Sequence, residues 1–185
     1  MTMLASLCVP FMFAVPTAVA ESGGYEYELI NGDTEVKITR YLESDADPIM
    51  PDAIEGRPVT MIDWHAFYQI GSLESVTIPA SISSVSAGAF RECWNFTAIH
   101  VNASNPIYGS SGGVLFDEGL KHLFMYPFGL EGGYEVPATT ERIGYKAFAY
   151  CGKITSITIP DGLTDIQQRA FFSCRSLSSV TLGAA

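Results

Sequence analysis

The chain has 185 residues, a size for one domain or a tight pair. With 48% apolar and only 16% charged residues, it is too apolar to be a disordered chain. Ten basic and 20 acidic residues give a formal charge of −10 with no Lys/Arg run, which excludes a protein that binds nucleic acid by neutralising phosphates.

The first 20 residues read as a signal peptide. Residues 4–20, LASLCVPFMFAVPTAVA, carry no charge, and Pro10 and Pro16 interrupt any helix there. Ala18 and Ala20 form an A-x-A pair before Glu21, the small-residue pattern of a cleavage site. The leading Met1-Thr2-Met3 lacks Lys and Arg, a departure from the usual signal. No later stretch approaches the ~20 apolar residues of a span, so no transmembrane segment is expected after signal cleavage. Residues 21–48 form the next unit. Tyr25–Ile30, then Asn31-Gly32-Asp33, then Thr34–Tyr41 alternate polar and apolar around a strong turn dipeptide, which predicts a β-hairpin. Its place before a repeat array suits a cap over the open end of the core.

The array runs over residues 49–185. An Ala-Phe pair recurs at Ala66-Phe67, Ala89-Phe90, Ala147-Phe148 and Ala170-Phe171. Phe67 to Phe90 and Phe148 to Phe171 each span 23 residues, and Phe90 to Phe148 spans 58, one period plus 35. Pro79, Pro137 and Pro160 each end an apolar stretch, and Cys93, Cys151 and Cys174 each follow the Phe by three, with Ile70 in that slot of the first copy. A fixed period in the twenties is that of leucine-rich repeats. Leu73–Ile78, Phe96–Val101, Ile154–Ile159 and Leu177–Leu182 read as its strands, rich in Val, Ile and Thr. A second apolar set, Ile82, Val85 and Phe90 and later Leu163, Ile166 and Phe171, points inward from the opposite wall. Stacked coils then bury one continuous core.

The insertion spans about residues 102–135. Within it, Gly113–Phe116 and His122–Tyr126 read as two strands joined through Asp117-Glu118-Gly119. Packing of this hairpin on the sheet edge is the bland expectation, and a binding loop the sharper one. The chain stops at Gly183-Ala184-Ala185 right after a strand, so a truncated last repeat is expected.

The segments SLESVTIPASISSVSAGAFRECWNFTAIHV and KITSITIPDGLTDIQQRAFFSCRSLSSVTL resemble the BspA-like leucine-rich repeat family, over roughly residues 49–182. Proline, Ala-Phe and Cys share one register in both segments. The first copy departs: it opens on Ile49-Met50-Pro51, and Pro51 lies 16 residues before Phe67, against 11 from Pro79 to Phe90. The resemblance implies an α/β, β-rich solenoid: a right-handed leucine-rich repeat superhelix with a parallel sheet, the N-terminal β-hairpin cap and one β-hairpin insertion. The Val114-Leu115-Phe116 strand and Tyr126-Pro127 also match a hairpin that the family often carries. Members are mostly exported, surface-associated proteins, several of them adhesins for host extracellular proteins.

Candidate chemistry is sparse. Gly109-Ser110-Ser111-Gly112-Gly113 matches G-x-S-x-G, but that motif needs a strand before it and a helix after, so a flexible turn is expected. His65, His100 and His122 show no metal-ligand spacing. The three repeat-slot Cys predict free core thiols, although an exported protein could oxidise adjacent ones. Asn95-Phe96-Thr97 and Asn102-Ala103-Ser104 are glycosylation sequons. No catalytic residue, metal or cofactor is expected, and the chain reads as no enzyme.

One set of positions remains. The period aligns Ser75 with Ala98, Thr77 with His100, Ser156 with Ser179 and Thr158 with Thr181, all at outward strand positions on the presumed concave face. Ordinary β-propensity explains small polar residues there. The functional reading is a flat binding surface. The expectation is therefore a secreted or cell-surface, non-catalytic binding or adhesion module. Its ligand would be a protein or glycan on the extracellular side, not nucleic acid. The alternative is a structural spacer or display module of a longer surface protein.

Overall fold

The computed structural model describes residues 20–183, so the expected signal peptide lies almost wholly outside the described residues. The chain winds as a β-solenoid of about six turns. It opens with β1 (Ala20–Ser22), β2 (Tyr25–Ile30) and β3 (Glu35–Tyr41). β1 meets β2 antiparallel across Gly23 and Gly24, both at positive φ, where a side chain would be strained. β2 and β3 are antiparallel from Tyr25↔Tyr41 to Ile30↔Glu35, around a loop in which Asn31, Gly32 and Asp33 all have positive φ. The five extra residues of the first copy form a tight hairpin: β4 (Ala53–Ile54) turns through Glu55 and Gly56 into β5 (Arg57–Ile62). β3 runs parallel to β5, which ties the first hairpin into the array.

From here each coil has three sides. One is a strand wall: β6 (Ser75–Ile78) pairs in parallel with the strand one coil later. A second is a wall of short strands, where β7 (Ser84–Val85) extends β3 and β5. The third is a wall of turns carrying Ala-Phe. β8 (Ala98–Val101) completes the first sheet, parallel to β6.

No described residue is helical, so the α component of the expected α/β class is corrected. The reason lies in the turn wall. Gln69, Glu92, Tyr150 and Ser173, each two residues after the Phe, have positive φ, and so do His65, Lys146 and Arg169, just before Ala-Phe. Left-handed residues four apart cut any right-handed helical run, at about 1–2 kcal/mol per residue. Bonds between coils offset that cost: Gln69 N–H donates to Arg91 O at 3.1 Å, and Tyr150 N–H to Phe172 O at 2.7 Å.

The insertion also differs from its reading. β9 (Tyr108–Ser111) is a strand where Gly109–Gly113 reads as a flexible turn. It pairs antiparallel with β10 (Val114–Asp117) across Gly112 and Gly113, and β10 pairs with β11 (His122–Met125). Asn105 launches this meander from a buried position. Its Nδ2 donates to Pro79 O and Ile82 O at 2.7 and 2.9 Å, and its Oδ1 accepts from the N–H groups of Ile107 and Tyr108.

Part of the span runs as a coil of the array. β11 is parallel to β13 (Arg142–Ile143), which is parallel to β15 (Asp165–Ile166). β12 (Gly132–Glu135) is parallel to β14 (Ile154–Ile159), and β14 to β16 (Ser179–Leu182). Tyr126 takes the Phe slot of this coil. Its N–H donates to Ala147 O at 2.8 Å, as Phe67 N–H does to Ala89 O and Phe148 N–H to Ala170 O. Its ring lies 4.9 Å from Phe148, which lies 5.1 Å from Phe171. Tyr41 fills the same slot at the other end, 5.3 Å from Phe67, with Phe90 5.1 Å further on. Rings one coil apart thus stack at close to the ~4.8 Å strand repeat.

The core is consequently double. Leu115 and Met125 join the cluster around Phe67 and Phe90, whereas Val114, Phe116 and Leu123 join the cluster around Tyr126 and Phe148. Alternate residues of β10 feed opposite sides, as the two-residue period of a strand dictates. The meander is a septum between two cores, not a projecting loop. In the last described coil Ile166, expected to face inward, is 47% exposed because no described coil covers it.

Candidate functional site

The strand wall carries the outward positions singled out by the repeat. Ser75 lies opposite Ala98 and Thr77 opposite His100; Ser156 lies opposite Ser179 and Thr158 opposite Thr181. Thr77, His100, Thr158 and Thr181 are exposed; Val76, Ile78, Ile99 and Ile157, alternating with the first three, are buried, whereas Val180 and Leu182 beside Thr181 are themselves exposed. Burial of each of those four chains contributes on the order of 1.5–3 kcal/mol, so the alternation itself holds Thr77, His100 and Thr158 outward.

The wall is not one ladder. Between β8 and β12 the Gly112–Gly113 turn closes on β8. Ile99 N–H donates to Gly113 O at 2.8 Å, and a Cβ on Gly113 would come within 2.9 Å of Thr97 O. The eight residues therefore form two patches of four. Ser75, Thr77, Ala98 and His100 make the first. Ser156, Thr158, Ser179 and Thr181 make the second, with Gly133 and Glu135 of β12 opposite Ser156 and Thr158.

The first patch borders a groove of about 300 Å³ lined by Asp47, Ile49, Met50, Asp52, Thr77 and Asn102, among others. Ser75 Oγ donates to Asp47. Ile49 is 92% exposed at its mouth. Asp47, Asp52 and Glu135 are the residues that repeat reasoning missed. They give both patches an acidic margin. The longer first copy displaces Asp47 to 28 residues before Ser75, outside the 23-residue register.

Other candidates resolve into structural roles. Ser111 ends β9 and passes into a two-residue turn and another strand, so the G-x-S-x-G match is a hairpin. His65 Nε2 accepts from Trp64 Nε1 at 2.8 Å. His122 is half-buried, with Nε2 lacking a partner, and burial together with Arg142 lowers its pKa. Among the described residues no group of three or more His, Cys, Asp or Glu could hold a metal ion. Cys93, Cys151 and Cys174 are free. Each thiol donates to the carbonyl of the slot aromatic one coil earlier: Cys93 to Phe67 at 2.8 Å, Cys151 to Tyr126 at 3.5 Å and Cys174 to Phe148 at 2.9 Å. No helix among the described residues is long and apolar enough to cross a membrane.

A family profile described as a BspA type Leucine rich repeat region matches residues 55–111 and 121–185, in six copies. No curated protein matches. Among the solved structures that share the fold are the following three. The pneumococcal vaccine antigen PcpA aligns at a TM-score of 0.61 and 24% identity, over 70% of this chain and 32% of its own. The leucine-rich repeat protein TpLRR of T. pallidum aligns at 0.51 and 24%, over 87% of this chain and 70% of its own. A leucine rich cell surface protein of Faecalibacterium prausnitzii A2-165 aligns at 0.50 and 16%, over 88% and 76%. The chain thus spans about a third of the pneumococcal antigen. At these identities the likeness is one of fold.

Proposed function

The chain belongs to the BspA-type leucine-rich repeat family, and from that membership we propose that it is a secreted or cell-surface module that binds another extracellular macromolecule without catalysis. The observation that carries this reading is the pair of outward polar patches on the strand wall, backed by the buried Val76, Ile78, Ile99, Ile157 and Ile159. Small Ser, Thr and Ala side chains let a partner approach the sheet closely, with little side-chain entropy to lose on contact. The acidic margin of Asp47, Asp52 and Glu135 favours a partner surface, protein or glycan-bearing, with positive charge against it. A neighbour described as a cell surface protein supports the location. Removal of residues 1–20 would deliver the remainder, its N-terminal hairpin capping the array.

The test is a pull-down from extracellular-matrix proteins with the full chain and with Thr77→Glu, His100→Glu and Thr158→Glu together. All three residues are exposed, so the fold is expected to survive, which thermal melting checks. Loss of the captured protein supports the reading. Capture that is unaltered by the triple change moves binding off the strand wall. Capture of nothing at all favours the spacer reading, for which the support is the row of bonds joining coil to coil along the turn wall.

A further inference from the structure

The turn wall differs from the rest of the surface in two ways. First, every large aromatic side chain exposed among the described residues lies on it: Trp64, Tyr68, Trp94, Tyr145, Tyr150 and Phe172. Second, its charge runs against that of the molecule. The reversal is confined to its last two turns (144–155 and 167–178), which hold Lys146, Lys153, Arg169 and Arg175 and no acidic residue, whereas the turns of the Tyr41, Phe67 and Phe90 coils carry Glu43, Asp45, Asp63, Glu74 and Glu92 against Arg91 alone. That is 4 − 0 = +4 on these two turns, against 6 − 20 = −14 for the remainder of the chain.

The cations and rings are interleaved. Lys146 Nζ sits 5.1 Å from the ring centres of both Trp64 and Tyr145, and Arg91 lies 5.5 Å from that of Tyr150. The Lys146–Trp64 and Arg91–Tyr150 contacts reach across the coil of Tyr126, over a small notch lined by Gly88, Phe128 and Ala149. Tyr150 and Phe172 continue the row, with ring centres 5.4 Å apart. Asp63 is already paired with Lys37, and Glu92 with Arg91. No carboxylate among the described residues pairs with Lys146, Lys153, Arg169 or Arg175.

From these observations we infer that the turn wall is a second binding surface, for an anionic polysaccharide. An aromatic face carries negative charge density and attracts the C–H face of a pyranose ring. Uncompensated Lys and Arg beside the rings attract the carboxylate or sulfate groups of such a chain. Coils repeat at about 4.8 Å, close to the rise of one sugar unit in an extended polysaccharide, so rings and charges stay in step along the axis. An acidic peptide fits less well. The backbone amides that an added strand would need are spent between coils, as in Phe67 N–H to Ala89 O and Tyr150 N–H to Phe172 O.

The inference is independent of the strand wall, and its test separates the two. The full chain is titrated with heparin, hyaluronate, neutral dextran and poly-L-glutamate by calorimetry. Binding of heparin or hyaluronate, weakening with salt, is expected. Dextran is expected not to bind, and poly-L-glutamate to bind at least about tenfold more weakly. The heparin and hyaluronate arms distinguish sulfate from carboxylate recognition. Lys146→Glu with Arg169→Glu, and separately the charge-neutral Tyr150→Ala, are each expected to lower affinity about tenfold. Thr77→Glu is expected to leave it unchanged. Binding of neither polysaccharide overturns the inference. So does equal binding of poly-L-glutamate, or a Tyr150→Ala chain that melts normally and binds as before.

Discussion

Cys93, Cys151 and Cys174 show how one repeat position is chosen. The slot tolerates Ile70, so it is apolar first; the sulfur adds a weak donor aimed at the carbonyl of the preceding coil. Burial pushes the Cys93 and Cys174 thiols up from 9.0 to about 11, and raises Cys151 further. The folded state thus holds these protons more tightly than the unfolded chain does. The stability this contributes is complete below pH 9 and is lost as the pH climbs through about 11. Burial raises Tyr25, Tyr41, Tyr126 and Tyr134 in the same sense. We expect the urea midpoint to fall from pH 9 upward, and the three thiols to resist iodoacetamide at pH 8 until the chain unfolds. A midpoint flat to pH 11, or fewer than three modified Cys after unfolding without reductant, contradicts this account.

Single coils explain what the sequence could and could not disclose. Four coils carry Ala-Phe, three of them with Cys, and their register, the C-terminal limits of the strands and the outward pairing of Ser75 with Ala98 all follow from the 23-residue period, whereas three of the four strands begin two residues later than expected. The coil of Tyr126 escaped because its slot selects a large flat ring, not a dipeptide. Tyr126-Pro127-Phe128 offers the ring with neither Ala before it nor Cys after it. From Phe90 to Tyr126 is 36 residues and from Tyr126 to Phe148 is 22, so only about 13 residues are added to one coil. The absent helices were equally hidden, since hydrophobic spacing says nothing of the left-handed φ at Gln69 or Tyr150. The split of the strand wall was hidden too, because it depends on Gly113 packing against Thr97. If Tyr126 does the work of a repeat Phe, Tyr126→Ala costs about 3–5 kcal/mol, as Phe148→Ala does. Both are expected to lower the melting temperature by many degrees. A drop of less than a couple of degrees for Tyr126→Ala removes it from the slot.

On the scale of the whole molecule, a net charge of −10 concealed two surfaces of opposite character, one acid-edged and polar, the other aromatic and basic along its last two turns. They lie on different sides of one coil and share no residue, so the two partners proposed for them would not compete. Stability is nearest-neighbour, as in any stacked array, but the septum makes one junction unlike the others. When the array is pulled by its two ends, along its axis, the septum governs how it yields. An ordinary coil of 23 residues releases about 80 Å of extended chain. Within the 36 residues from Phe90 to Tyr126, β10 and β11 feed both cores, so the segment is expected to release together, giving about 120 Å in one step. Force spectroscopy on the tethered chain reads this directly, and a ladder of equal steps would refute it. The septum would thus act as a shock absorber: one long reserve of slack set between two stiff stacks.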